Sequence, residues 1–145
     1  MRTMQLSLAL AMLFAAAAWS QDAATDRKLL EGKWAPSAAE VGGNPLPKEV
    51  LQTILLEVAG EKYTVTVGKT VDKGTVKIDA AAKPKTMDIV GTEGPNKGKT
   101  ILAIYEVKDD TLRVCYDLSG KARPTEFKTK KGELVYLATY QRQKP

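Results

Sequence analysis

The sequence predicts an all-β protein, an eight-stranded antiparallel up-and-down barrel, on three observations. Apolar or alternating runs, rich in β-branched and aromatic residues, follow one another from Trp34 to the C-terminus, and they give eight candidate strands. Turn residues separate these runs about every 8–12 residues. The connections are mostly of hairpin length, which makes consecutive strands neighbours, and closing such a meander removes its exposed edges.

The predicted elements follow in chain order. The first strand begins at Trp34, and a short helix is expected near 47–52, where a proline suits the first helical turn. Gly60 opens a two-residue hairpin loop after the second strand, since such loops need a positive φ at their first position. In the fourth strand the apolar side chains of Val76 and Ile78 share one face. The strands after the first are predicted at 53–58, 62–67, 74–79, 85–90, 100–107, 111–117 and 133–142.

One stretch, "EGPNKGKT" at 93–100, ends like a phosphate-binding loop. Such a loop needs a glycine five residues before Gly98, and Glu93 stands there instead. It also needs a helix behind it, whereas Thr100 begins a run typical of a strand. A proline-asparagine pair at the centre of the stretch is typical of a β-turn. We therefore predict a turn between two strands here, and no nucleotide site.

The first twenty residues have the pattern of a signal peptide. Arg2 supplies a positive charge, 6–18 is almost wholly apolar, and small residues precede the bond after Ser20. The apolar run is too short to span a bilayer comfortably. We expect cleavage after Ser20, or within the alanine run before it, and export to the periplasm or the extracellular space. No transmembrane segment is expected in the mature chain. The predicted parts are a signal peptide at 1–20, a flexible tail at 21–29 and the barrel domain at 30–145.

The amino-acid composition excludes several kinds of catalytic and metal site. The chain has no histidine, which excludes Ser-His-Asp and Cys-His catalysis, histidine-bound zinc and histidine-ligated haem. Its one cysteine, Cys115, lies in a strand-like run and is expected to be a packed thiol, with a reactive or dimer-forming thiol as the alternative. Asp109 and Asp110 are expected to cap a turn. We therefore predict no catalytic residues, no metal site, no cofactor and no enzymatic activity.

The charge is modestly positive, with a formal net charge of +5. Lysines are spread along the chain, and Lys128, Lys130 and Lys131 form one denser patch. The interpretation we favour is a set of solvated turns and strand faces, and the alternative is a patch for an acidic polymer or a membrane surface. Few aromatic residues interleave with the lysines, so nucleic acid is not an expected partner. A monomer is expected.

The ends of the predicted barrel resemble those of lipocalins and their calycin relatives. "GKW" at 32–34 opens the first strand, and Arg142 ends the last. In that family a Gly-x-Trp tryptophan closes one barrel end and an arginine of the last strand stacks on it. The resemblance implies that Trp34 forms the floor of the barrel and that Arg142 is the stacking cation.

A longer resemblance covers residues from about 30 to 142. "GNPLP" at 43–47, "KPKTMDI" at 83–89, "TEGPNKGKTILAIYEVKDDTLRVC" at 92–115 and "RPTEF" at 123–127 are similar to a family of exported lipocalin-like domains. This family is common in planctomycete-type bacteria and has no assigned function. The resemblance implies a barrel and export, and it brings no catalytic residues. The chain lacks the Thr-Asp-Tyr motif and the disulfide of true lipocalins, so we expect a small cavity at most.

The candidate ligand site combines the longest connection, 118–132, with strand tyrosines. Long connections in small domains are often functional lids. Arg123 could hold a ligand carboxylate and Phe127 could stand beside it at the mouth, opposite the end that Trp34 closes. Tyr105 and Tyr116 are the expected polar tips inside. The alternative is a plug, in which Phe127 fills one barrel end and Arg123 pairs with a nearby carboxylate.

Two functions remain open at this point. The first is the binding of a small, mostly apolar ligand inside the barrel. The second is a filled barrel that acts as a structural module or contacts a partner of the cell envelope. Eight strands lie at the size where inward side chains either meet or leave room for one small ligand. The interior volume therefore separates the two.

Overall fold

The computed structural model describes the backbone of residues 18–145 and the side chains from residue 23 onward. All but the last three residues of the predicted signal peptide therefore lie outside the described part. Two helices and nine strands are described: α1 (Ala18–Leu30), β1 (Gly32–Val41), β2 (Asn44–Pro45), α2 (Lys48–Leu51), β3 (Ile54–Ala59), β4 (Lys62–Val67), β5 (Thr70–Asp79), β6 (Lys85–Glu93), β7 (Thr100–Lys108), β8 (Thr111–Asp117) and β9 (Val135–Gln143). Neither helix is long and apolar enough to cross a membrane.

The strands close into an eight-stranded antiparallel barrel. From β3 to β9 each strand pairs with the next along the chain, and β1 pairs with both β3 and β9. The two-residue strand β2 pairs only with β1 and lies outside the closed ring. The predicted up-and-down barrel is therefore confirmed, and α2 stands where the short helix is expected. Pairing of the first and last strands leaves no open sheet edge in the ring.

The prediction of a flexible tail at 21–29 is wrong, because α1 runs through this segment. Near the C-terminal end of α1, Leu30 is buried in the core of the barrel. Asp26 is buried as well, and its carboxylate accepts hydrogen bonds from Tyr105 and Lys85, each at 2.8 Å. These contacts join residues far apart in sequence, so they leave no local pattern. Tertiary packing, rather than intrinsic propensity, accounts for most of the stability of such a helix.

Trp34 and Arg142 lie opposite each other in the β1–β9 ladder. Trp34 is 0% exposed, and its Nε1 donates to the carbonyl of Leu30 at 2.9 Å. The guanidinium of Arg142 lies 4.3 Å from the centre of the Trp34 ring. The same guanidinium donates to the carbonyls of Leu29 and Glu31 and to the carboxylate of Asp110. Arg142 therefore satisfies carbonyls at the end of α1 that the helix itself leaves free.

The long connection between β8 and β9 lies on the outside of the barrel. Its Phe127 ring packs under the guanidinium of Arg113, 4.3 Å away. Thr129 donates to the carboxylate of Glu40 and accepts from the backbone of Gly43. Beneath the connection, Cys115 is fully buried, and burial raises the pKa of its thiol. The thiol is packed, as the sequence predicts, and the structure places it on the outer face of β8.

We predict that Trp34→Ala lowers the free energy of unfolding by about 3–5 kcal/mol, because it leaves a cavity beneath Arg142 and removes the donor to α1. Urea denaturation would measure this loss. Trp34→Phe is the matched control, since it keeps a ring for the guanidinium to stack on, and its loss should be clearly smaller. Equal losses for the two variants, or no loss for either, would contradict this account of the closed end.

Candidate functional site

The interior of the barrel holds a cavity of about 380 Å³. Its walls come from inward-facing positions of the strands, which alternate with outward-facing ones because side chains along a strand point to opposite faces. In β5, for example, Asp72, Gly74 and Val76 are buried, while the residues between them are exposed. Most of the wall is aliphatic. Representative lining residues are Leu56, Val65, Val76, Met87, Ile89 and Val114.

One end of the cavity is closed by α1. Leu30 lines the cavity there, and Trp34 lies behind it without lining the wall. Next to them the hydroxyl of Tyr105 donates a hydrogen bond to the carboxylate of Asp26 in α1. The ammonium group of Lys85 donates to the same carboxylate. Burial, and then the hydrogen bond with this carboxylate, raise the pKa of Tyr105 far above its ordinary value. Tyr105 therefore belongs to the closed end and does not line the cavity.

The other end opens through an apolar rim. Val50 of α2, Val67 at the end of β4 and Leu118 after β8 line the cavity and are 38%, 43% and 45% exposed. Leu118 marks the barrel end remote from Trp34, because β8 ends opposite Val135 at the start of β9, whereas Trp34 pairs with Arg142 near the end of β9. Exposed apolar side chains gathered at a cavity mouth are typical of a ligand entrance.

The stretch at 93–100 is a turn at this open end. The backbone amide of Asn96 donates to one carboxylate oxygen of Asp72 at 2.9 Å, and its side-chain amide donates to the other at 3.0 Å. The turn also packs tightly on Gly91, where a Cβ would meet the carbonyl oxygen of Asn96 at 1.9 Å. Asn96 thereby becomes part of the cavity lining.

Asp72 receives a third hydrogen bond, from the hydroxyl of Tyr63 at 2.9 Å. Gly74 makes this contact possible, because Tyr63 lies opposite it in the β4–β5 ladder. A Cβ on Gly74 would stand 2.8 Å from Cε1 of the Tyr63 ring and 1.9 Å from the carbonyl oxygen of Val90. The glycine therefore leaves the space in which the ring crosses β5 towards Asp72.

A second polar group in the cavity consists of tyrosines from β8 and β9. The hydroxyls of Tyr116 and Tyr140 lie 3.0 Å apart, and the rings of Tyr116 and Tyr136 are stacked with their centres 5.4 Å apart. All three line the cavity. Burial raises the pKa of each hydroxyl, so these groups stay neutral near pH 7. They bring aromatic rings and neutral hydroxyls to the wall of the cavity.

The structure does not bring the four predicted ligand-site residues together. Tyr116 lines the cavity, and Tyr105 lies at its closed end. Arg123 lies on the outer face, where it donates to the carbonyls of Met87 and Ala103 and pairs with Asp88. Phe127 packs outside as well. Neither Arg123 nor Phe127 lines the mouth, and Phe127 does not plug a barrel end.

Sequence reasoning missed two polar cavity residues, Asp72 and Asn96. The fourth predicted strand starts at Gly74, whereas the corresponding strand β5 already begins at Thr70. Two-residue periodicity counted back from Val76 would have placed Asp72 on the inner face. No periodicity would have predicted Asn96, because it lies in a turn and its position depends on how that turn packs on Gly91. Among residues 23–145, no three acidic or thiol side chains gather as metal ligands.

No family model, no curated protein and no solved structure matches this chain. The resemblance to exported lipocalin-like domains therefore stays a prediction from the sequence. The function has to be inferred from the cavity and the groups that line it.

We predict that the tyrosines of the native protein resist ionisation at about pH 10.5, whereas those of the unfolded chain titrate near the ordinary value of about 10. Burial is the largest cause of the raised pKa at every tyrosine of the chain: Tyr63, Tyr105, Tyr116, Tyr136 and Tyr140. Phenolate absorbance with and without denaturant would measure the difference.

The sign of the effect on stability follows from these raised values. The buried tyrosines contribute fully to the free energy of unfolding below about pH 10. This contribution is lost as the pH rises above that value, because ionisation of the tyrosines then stabilises the unfolded chain. Ordinary tyrosine titration in the native state would show that the rings are not buried.

Proposed function

We propose that the protein binds a small, mostly apolar ligand inside the barrel. The observation that supports this most is the cavity of about 380 Å³, walled by aliphatic side chains and open at one end. Its volume falls in the range of about 300–1,000 Å³ that is usual for small-molecule sites. An apolar ligand there would remove its own surface and that of the wall from water, which favours binding in proportion to the area buried.

The alternative, a filled barrel, receives less support. It requires inward side chains that meet across the interior, and the cavity leaves space between them. The exposed rim of Val50, Val67 and Leu118 favours an entrance over a sealed core. A role as a purely structural module gives no account of either feature.

The setting we propose for binding is the periplasm or the extracellular space, on the strength of the signal-peptide pattern at 1–20. Binding without catalysis is part of the proposal. The polar groups of the cavity bond mainly to one another, as in the Tyr116–Tyr140 pair and the Tyr63–Asp72 pair. Among the described residues, no serine, threonine, cysteine or lysine side chain lines the cavity.

Fluorescence of N-phenyl-1-naphthylamine, a neutral probe, tests the proposal. The wild-type protein should bind it saturably. Val65→Phe should weaken binding by about tenfold or more, because the larger ring occupies the cavity and one decade corresponds to only about 1.4 kcal/mol. Val90→Phe is the matched control, since Val90 lies on the outer face of β6 and is exposed.

Binding to the control should equal that of the wild type. The stability of both variants would be measured by urea denaturation, so that a binding defect is not confused with unfolding. Absence of saturable binding to the wild type, or equal weakening by both substitutions, would refute the proposal.

A further inference from the structure

A single charged side chain lines the cavity among the described residues, and it is Asp72. It is 5% exposed. The other polar lining residues are neutral: Tyr63, Asn96, Tyr116, Tyr136 and Tyr140. No lysine or arginine of the described chain contributes to the wall. The cavity therefore has a negative group inside and no positive group to accompany it.

The hydrogen bonds of Asp72 do not cancel its charge. The hydroxyl of Tyr63 and the two amide donors of Asn96 are all neutral. No ion pair of the described residues includes Asp72, although Asp26 and Asp88 each have a cationic partner. An ionised carboxylate offers about four acceptor positions, and these three donors leave one for a further donor.

We infer that the cavity takes amphiphiles whose polar head is an amine, an ammonium group or a neutral hydrogen-bond donor, and that it rejects carboxylate heads. This inference rests on the proposed function and narrows its ligand class. A carboxylate head near Asp72 would meet a like charge in surroundings with little water, where such repulsion is strong. An ammonium head would supply the missing positive charge, and a hydroxyl head would supply the missing donor.

The tyrosine rings also favour an ammonium head over a carboxylate head. A cation is attracted to the face of an aromatic ring, and the rings of Tyr63, Tyr116 and Tyr136 all line the cavity. A carboxylate gains nothing from these faces, because their negative charge density repels it. In the Tyr116–Tyr140 pair one hydroxyl donates to the other, so the remaining O–H can donate to a head group, but it is neutral and does not supply the positive charge that a carboxylate lacks here.

The net positive charge of the protein favours anionic ligands instead. The chain carries a formal net charge of +5, and such a charge attracts anions at long range. Rejection of an anionic head therefore cannot come from the protein as a whole. Salt separates the two effects, because it screens long-range attraction in water far more than a close interaction inside the cavity.

Three amphiphiles with ten carbon atoms each test the inference: decylamine, decanol and decanoate, each below its micelle concentration. Each would be used to displace N-phenyl-1-naphthylamine from the purified protein. We expect decylamine and decanol to displace the probe at concentrations about tenfold or more below that of decanoate, since like charges within the cavity repel. This difference in displacing concentration, called the gap below, should persist in high salt.

Two variants assign the gap to the charge of Asp72. Asp72→Asn should narrow the gap between decanol and decanoate to about twofold or less, because the like charge is gone. Tyr63→Phe removes one hydrogen bond of Asp72 but keeps its carboxylate, so the gap should stay. The wild-type series tests the inference by itself, whether or not Asp72→Asn folds.

Decanoate that displaces the probe as well as decanol does would overturn the inference and leave the proposed function intact. A folded Asp72→Asn variant with the full gap would overturn it as well. Failure of the probe and of all three amphiphiles to bind would overturn both proposals.

Discussion

The guanidinium of Arg142 joins three parts of the chain: the first strand, the last strand and the end of α1. It stacks on Trp34 of the first strand and accompanies the pairing of β1 with β9 that closes the ring. It also donates to the last carbonyls of α1 and so fixes the helix across one end of the barrel. Without it the part-buried carbonyl of Leu29 would lack this donor, and an unsatisfied buried carbonyl costs about 1–3 kcal/mol. The exposed carbonyl of Glu31 would bond to water instead.

The site at the other end depends on this closure. α1 and Trp34 fill one end of the barrel. A barrel of eight strands is wide enough to leave a small cavity in the remaining interior. Its wall is apolar except at Asp72, Asn96 and the tyrosines. The single carboxylate accepts hydrogen bonds from Tyr63 and from Asn96 of the turn at the open end. An apolar volume and one uncompensated charge together set the ligand class that we propose.

Local patterns were enough to predict the strands, the barrel and the turn at 93–100, because alternation and turn residues are encoded within a few positions. They failed for α1, which is held by contacts of Asp26 with residues 59 and 79 positions away. They also failed for Arg123 and Phe127, because a loop has no fixed alternation that would tell its inner from its outer face. Asp72 was within reach, since it shares the inward parity of Val76.

The central claim is that a ligand enters this interior and no other part of the protein. Methyl-labelled NMR during a titration with decanol tests it most directly. Inward methyl groups, such as those of Val76, Ile89 and Val114, should shift saturably, while those of the outward Val90 and Leu137 should not. Shifts confined to outward methyl groups, or no saturable shift at all, would contradict the account.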